Sequence, residues 1–549
     1  MKEWCDTLLT YQVKTNNDYT NNALLCPACH VIHGRIADLC FPLVIIWDRE
    51  GDDKYIEFAD QLIDFSERNL KTPDGLWYND ISNRWFATSA FSAMSIGEAL
   101  LRFGDKVPKH YYDKWFAIYK RIMSTVAILD GRENFLPPSN YFCGFATSLA
   151  LAWRLTGDVN FYEKSKYWLN EALTRFDEQN ILFGEGYPMK ADDGSSTIDM
   201  GYDLEESVPL LLRYSTLTGE YEERFREILR AHLDFLLPDG AIDNSFGTRH
   251  NKWTYWGSRT SDGLVEGLAL VLDDPMFSDA CERVLTLYES STHNGLLSMP
   301  MAHEAGEPTC LHHTFPHARA IAALVCSDFD GEVKRGKLPC EENYGIKKYQ
   351  NGRMILASNG KFRATFSASH AMMLKDFADN GGGSMNLLYH KDYGVICAAT
   401  SKSYAPSEPL NQQYLRNSPN PPCMTAQFVV NRAQGCAEKN VMLEAEGMTV
   451  TATSKRWSAK YEVCDSSVEI QLNCEDGTYN LPIVCSRSNT VEISPDKKAV
   501  TINKKLIIKS DTPLTCDPET RVFNQVGGLL YLPISVPVAK EARISIEIA

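Results

Sequence analysis

At 549 residues the chain is long enough for two or more domains, and with 44% hydrophobic and 23% charged residues it has the make-up of a folded globular protein, not a disordered one. A net charge of −16 disfavours nucleic acid and anionic membrane as partners, so an anionic ligand would need a local basic cluster. The longest apolar run, residues 39–47, is too short to span a bilayer.

The first residues, MKEWCDTLLTYQVK, are charged from the second position and lack the apolar core of an export signal. The 16 cysteines are scattered, and several (Cys40, Cys143, Cys326) sit inside apolar helical patterns as small buried thiols would. A reduced, cytoplasmic setting is the expectation, unless an export signal has been removed.

Helical periodicity dominates as far as Cys326, and one pattern recurs: an apolar helix, a Gly-Asp turn or close relative, an aromatic residue and a second, amphipathic helix. It appears in WDREGDDKYIEFADQLIDF, LRFGDKVPKHYYDKWF, WRLTGDVNFYEKSKYWL, STLTGEYEERFREIL and VLDDPMFSDACERVL, with turns at Gly51, Gly104, Gly157, Gly219 and Asp274. A period of roughly 50 residues is two helices and two loops, hence an array of helical hairpins. A sixth hairpin follows if the helix around TFPHARAIAALVC is an inner helix and the N-terminal helix its outer partner. Six hairpins closed in this way make an (α/α)6 toroid; the alternative is an open solenoid, which would need polar capping repeats.

If the Gly-Asp turns lie at one end of the toroid, all the other connections lie at the opposite end. These include LLCPACHVIHGR, TPDGLWYNDISNRWF, DGRENFLPPSNYF, residues 180–206, residues 238–263 and THNGLLSMPMAHEAGEPTCLHH, which are long and rich in aromatic, His and acidic residues. Functional residues gather on long loops carried by a rigid scaffold, so this end is the expected cleft. Arg249, Lys252 and Arg259 supply its basic cluster.

After Asp328 the pattern changes to period-2 strands, as in RMILASNGKFRATFSAS, SAKYEVCDSSVEIQLNC and ARISIEIA. The expected fold class is therefore α+β multidomain: a catalytic toroid over residues 1–330 and an antiparallel β-sandwich over 331–549. In DNGGGSMNLLYHKDYG, the glycines at 381, 382 and 383 permit a sharp bend, or form a loop that lends His390 to the cleft.

A helical toroid followed by a β-sandwich, with IDMGYDLEES, DNSFGTRHNKWTYWGSRTSDG, HHTFPHARA and GGGSMNLLYHKDYG along the chain, resembles the heparinase II/III-like carbohydrate-active enzymes, and within them the exo-β-glucuronidases of gut bacteria. The resemblance implies an enzyme of uronic-acid glycans; reaction type varies across the superfamily. Toroidal lyases carry an Asn, a His, a Tyr and an Arg in the cleft, and by that resemblance His250, Tyr255 and Arg259 would fill three of these roles.

Two reactions are weighed. Hydrolysis needs a carboxylate pair, one protonated and one ionised. Glu185 (in FGEGYP) and Asp199 are the preferred pair, with Glu205 or Glu206 in reserve, since a carboxylate opening a helix is also favoured by the helix dipole. β-Elimination needs neutralisation of the uronate carboxyl plus a His or Tyr base, which His250 and Tyr255 could supply. Arg259 suits the substrate carboxylate in either case, or else pairs with Asp262 or a neighbouring loop. Trp253, Tyr255 and Trp256 would stack on a sugar or seal loop against toroid. The expected function is removal of terminal β-linked glucuronic acid by a glycoside hydrolase; the alternatives are a uronic-acid polysaccharide lyase and a non-catalytic carbohydrate-binding protein.

His30, His33, Arg35, His313 and His317 would lie at the same toroid end as substrate contacts. Metal is weighed against this: Cys26, Cys29, His30 and His33 could bind zinc but lack a second cysteine pair, and His313 and His317 stand one helical turn apart. CPACH contains the haem-attachment pattern, which belongs to exported proteins. No metal or cofactor is expected, and self-association into a homo-oligomer is compatible with the sequence.

Overall fold

A computed structural model describes residues 1–132, 135–185, 196–327, 329, 331–368, 382–400, 424–429 and 441–549. Fourteen helices precede the first long strand among these residues: α1 (Lys2–Thr10), α2 (Cys40–Glu50), α3 (Lys54–Asn69), α4 (Ser89–Phe103), α5 (Lys109–Val126), α6 (Ser139–Thr156), α7 (Val159–Leu173), α8 (Met200–Tyr202), α9 (Val208–Thr218), α10 (Glu222–His232), α11 (Val265–Leu268), α12 (Pro275–Ser290), α13 (Ala302–Ala305) and α14 (Leu311–Val325). Helices α2, α4, α6, α9, α11 and α14 pack side by side in that order, and α14 returns to pack on α2, so the ring is closed. Their sequences are apolar nearly all round, as in SAFSAMSIGEALL and SNYFCGFATSLALAW, because neighbours and outer helices cover them on every side.

The outer helices α3, α5, α7, α10 and α12 bury one stripe each, and α1 is the sixth outer helix, packed on α14. Trp4 fixes that seam by donating its indole N–H to Thr292 Oγ1 at 3.0 Å, and Tyr55 donates to Asp6 at 2.6 Å. The solenoid alternative is thereby excluded. Gly51, Gly157 and Gly219 end their helices with φ between +69° and +78°, a left-handed cap that glycine adopts without a Cβ penalty. Gly104 differs from expectation: it stays helical at φ −62°, and the chain turns later, at Pro108.

The second half is antiparallel sheet. A five-stranded sheet runs in chain order through Gly345–Tyr349, Met354–Ser358, Phe362–Ser367, Ser384–His390 and Gly394–Ala398, and a ten-stranded sheet is centred on Ser467–Asn480 and Ile534–Ile548. Alternation along Met354–Ser358 shows how the layers stack: Ile355 and Ala357 join the core between the sheets, while Met354 and Leu356 join the toroid core. The five-stranded sheet is thus buried on both faces. Arg363 Nη1 donates to Asp243 Oδ2 at 2.9 Å and its Nη2 to the Asp234 carbonyl at 3.0 Å, tying this sheet to a toroid connection. No helix among the described residues is long and apolar enough to cross a membrane.

Candidate active site

At the toroid end that bears the long connections lies a cavity of about 300 Å³ lined by residues of all six connections, among them Arg35, Trp85, Asn140, Tyr141, Tyr202, Glu206, Arg249, Lys252 and His312. A larger cleft of about 870 Å³ lies between toroid and sheet, around Glu282, Arg283, Lys361 and Lys391. None of the expected site residues lines it, and Arg283 is engaged by Asp279 and Glu341.

Tyr202 sits where the chain enters the fourth inner helix. Asp199 caps that turn: its Oδ1 accepts from the Tyr202 N–H at 3.1 Å and from Asn244 Nδ2 at 3.0 Å, and its Oδ2 accepts from the Arg249 N–H at 2.5 Å. One buried carboxylate therefore orients both Tyr202 and Arg249. The Arg249 guanidinium lies 4.2 Å from the centre of the Tyr202 ring, Lys252 Nζ is 3.5 Å from the Tyr202 hydroxyl, and that hydroxyl is hydrogen-bonded to Thr260 Oγ1. Two cations therefore stand beside this phenol.

A π-turn over Asp203–Ser207 follows, and it sends neighbouring carboxyls in different directions. Glu205 turns into the toroid, where Ser258 N–H, Ser261 Oγ, Tyr288 OH and His317 Nε2 surround it. Gly257, at φ +151°, has to be glycine because a Cβ there would lie 2.0 Å from Glu205 Oε1. Glu206 faces the cavity, accepting from Asn140 Nδ2 at 3.3 Å. Burial, reinforced by the charge of Asp262 against that of Arg35, pushes the Glu206 carboxyl up to about 8, so it is neutral at pH 7 and can donate a hydrogen bond. Glu185 is buried; it accepts from the Asn140 N–H at 2.8 Å and pairs with Arg249 Nη2 at 3.1 Å. Arg35 bridges Asp38 and Asp262 at 2.8 and 2.7 Å. Burial, with the charges of His33 and Arg35, holds His312 well below the ordinary histidine range, so its ring is neutral.

Several expectations are corrected by position. Glu185, Asp199 and Glu205 do not line the cavity; their oxygens receive donors that shape the site around them. His250 turns away from the cavity, its Nε2 2.9 Å from the Ala399 carbonyl, and burial lowers it to about 4. Tyr255 donates to Asp239 at 2.9 Å inside a cluster with Leu387 and Tyr389. Arg259 is fully buried and donates to the Asn251 carbonyl. Trp253 and Trp256 give their indole N–H groups to the carbonyls of Ile242 and Ser298, both at 2.8 Å, so they seal the loop; Trp85, Tyr141 and Tyr202 are aromatics on the cavity. His313 and His317 pack edge-on against Trp256 in the toroid interior. His390 packs on Phe362 in the five-stranded sheet and does not line the cavity, and Gly381 lies outside the described residues. His30 is exposed, and His33 is buried behind His312.

Of the expected residues, Arg35 and Glu206 line the cavity, as do Arg249 and Lys252 of the basic cluster. Asn140, Tyr202 and His312 went unselected, although each lies in a quoted connection at the mouth of an inner helix. That recurring position was the available signal.

The model of the ulvan lyase N-terminal domain matches residues 1–337, and that of the ulvan lyase C-terminal domain matches 346–441 and 431–549. A broad-specificity ulvan lyase of Formosa agariphila is 31% identical, covering 98% of this chain and 90% of that protein. Among solved structures, heparinase III superposes with a TM-score of 0.58 at 13% identity, over 93% of this chain and 76% of that one. A chondroitin AC lyase of Streptomyces coelicolor A3 superposes with a TM-score of 0.55 at 12% identity, over 100% and 79%. These two share the fold. The matches overturn the expected glucuronidase: a carboxylate-pair hydrolase of terminal glucuronic acid is not what this family is, and the lyase alternative fits better. The protein is a carbohydrate-active enzyme, and with both halves matched and a relative aligned almost end to end, the chain belongs to the ulvan lyase family.

Proposed function

We propose that the protein is a polysaccharide lyase that cleaves an acidic, uronate-containing polysaccharide of the ulvan type by β-elimination. The observation that carries the proposal is the hydroxyl of Tyr202, held between Arg249 and Lys252 in the cavity that also presents Asn140 and the neutral Glu206. The family membership and the activity of the Formosa agariphila relative support the same reaction.

In this reading Asn140 and protonated Glu206 donate to the uronate carboxyl, with Arg249 nearby, which lowers the cost of placing negative charge on the carbon α to it. The Tyr202 side-chain oxygen is the base that takes the proton from that carbon. The electron pair forms a double bond to the next ring carbon, whose bond to the glycosidic oxygen breaks, and Tyr202 returns its proton to the departing oxygen. No water is consumed, and the new non-reducing end carries an unsaturated uronate. Arg35, Arg249 and Lys252 give the cavity cations that an acidic chain of net charge −16 needs to admit a polyanion.

The test is incubation with ulvan and, separately, with an aryl β-glucuronide. Ultraviolet-absorbing unsaturated product from the polymer, with the glucuronide untouched, is the expected outcome. Release of saturated uronic acid would overturn it.

A further inference from the structure

Behind the cavity wall, two distant parts of the chain bring three thiols and an imidazole together. A short hairpin, closed by the bridge between Leu25 and Ile32, carries Cys26, Cys29 and His33. Its turn is tight: the His30 N–H donates to the Cys26 carbonyl at 2.9 Å, and His30 takes φ +55° so that the chain can double back. Cys310 comes from the other end of the toroid as the residue that opens α14, 277 positions beyond His33. Its Sγ lies 3.5 Å from Cys29 Sγ and 3.4 Å from His33 Nε2. One ligand atom from each of the four residues fits within a mutual distance of 4.8 Å, and Cys26, His33 and Cys310 are essentially inaccessible to solvent.

Two features point beyond the packing of small buried thiols. Four tetrahedral ligands at zinc's bond lengths stand about 3.4–3.8 Å apart, and Cys310 Sγ stands at 3.5 and 3.4 Å from the Cys29 and His33 ligand atoms. The Cys29 N–H also points at Cys26 Sγ at 3.4 Å, supplying the donor that a metal-bound thiolate takes within a Cys-x-x-Cys turn. The local motif holds three of the four ligands and no third cysteine; Cys310 is that partner, and it takes the place considered for His30.

We propose that Cys26, Cys29, His33 and Cys310 bind one zinc ion that pins the seam where the toroid closes. Three sulfurs and one nitrogen are a soft, tetrahedral set, and four protein ligands leave no open position, which makes the site structural. Its consequence reaches the cavity: Arg35 follows His33 by two residues, His312 follows Cys310 by two, and both line the cavity wall. The His33 and His312 rings are in edge contact, with centroids 5.5 Å apart.

The test is metal analysis of the untagged full-length protein prepared under reducing conditions. About one zinc per chain is expected, retained in His30→Ala and lost in Cys26→Ser and Cys310→Ser. If the serine variants do not fold, the wild type suffices: after removal of metal with a chelator, cobalt(II) should restore one equivalent with thiolate charge-transfer absorption and the intense visible bands of a tetrahedral site, and zinc should raise Tm. A wild-type protein that takes up neither ion after anaerobic reconstitution would overturn the proposal. So would a folded Cys310→Ser variant that holds zinc as tightly as the wild type.

Discussion

The Arg249 guanidinium lies over the face of the Tyr202 ring, 4.2 Å from its centre, while its Nη2 reaches Glu185 Oε1 at 3.1 Å. The arginine is thus anchored by a carboxylate on one side and is free to act electrostatically on a phenol on the other. Replacing Tyr202 by Phe keeps the ring under the guanidinium and removes only the proton-transfer group. A kcat lower by about 10²–10⁴-fold is expected, with KM changed by a small factor and Tm near the wild-type value. Near-normal kcat would place the base elsewhere.

Tyr255→Phe is the matched control. That hydroxyl donates to Asp239 at 2.9 Å, remote from the cavity, so the variant should lose about 1 kcal/mol of stability and keep kcat within a few-fold. Denaturant unfolding and steady-state kinetics read the two effects separately. A collapse of kcat with unchanged stability would restore Tyr255 as the base.

Glu206 gives the site an alkaline limit. Its carboxyl is neutral below about 8 and ionises above it, where it would repel the substrate carboxylate. KM for the polymer should therefore climb as pH passes through 8, and Glu206→Gln, which stays neutral, should flatten that limb. The folded value lies above the ordinary 4.5, so the folded state holds this proton more tightly than the unfolded state. Stability from this group is then greatest below about 4.5 and declines as pH rises towards 8, a slope that the Gln variant should lack in pH-dependent unfolding.

Asp199→Ala removes the acceptor for three buried donors: the N–H groups of Tyr202 and Arg249, and Asn244 Nδ2. A loss of about 2–4 kcal/mol is expected, together with a lower kcat because Tyr202 is no longer held. A pure proton-transfer residue would lower kcat and leave the urea midpoint where it was, and that result would return Asp199 to the chemistry.

The ring of hairpins was legible because its cause is local and repeated. Each inner helix is apolar all round, each outer helix buries one stripe, and left-handed glycines at 51, 157 and 219 mark the turns between them. The polarity of those turns also assigns the long connections to one end, so the neighbourhood of the site could be read. Which side chains face it could not. Residues 243–263 have no period, and their directions follow from pairings made far away. The strand pair Trp253–Thr254 and Gly257–Ser258 is held by Gly527, which accepts from the Tyr255 N–H and donates to the Trp253 carbonyl, both at 2.9 Å. That contact turns His250, Tyr255 and Arg259 away from the cavity and leaves Arg249 and Lys252 on it. The same holds at the seam: Cys26, Cys29 and His33 are visible as a local motif, but their fourth partner arrives only when α14 closes on α2. The sequence by itself determined the fold and the end of the ring that matters, because hydrophobic period and turn chemistry act over a few residues. Tertiary structure alone decided which side chains line the cavity and which thiols meet, because buried polar atoms take whatever partner the closed ring brings within hydrogen-bond reach.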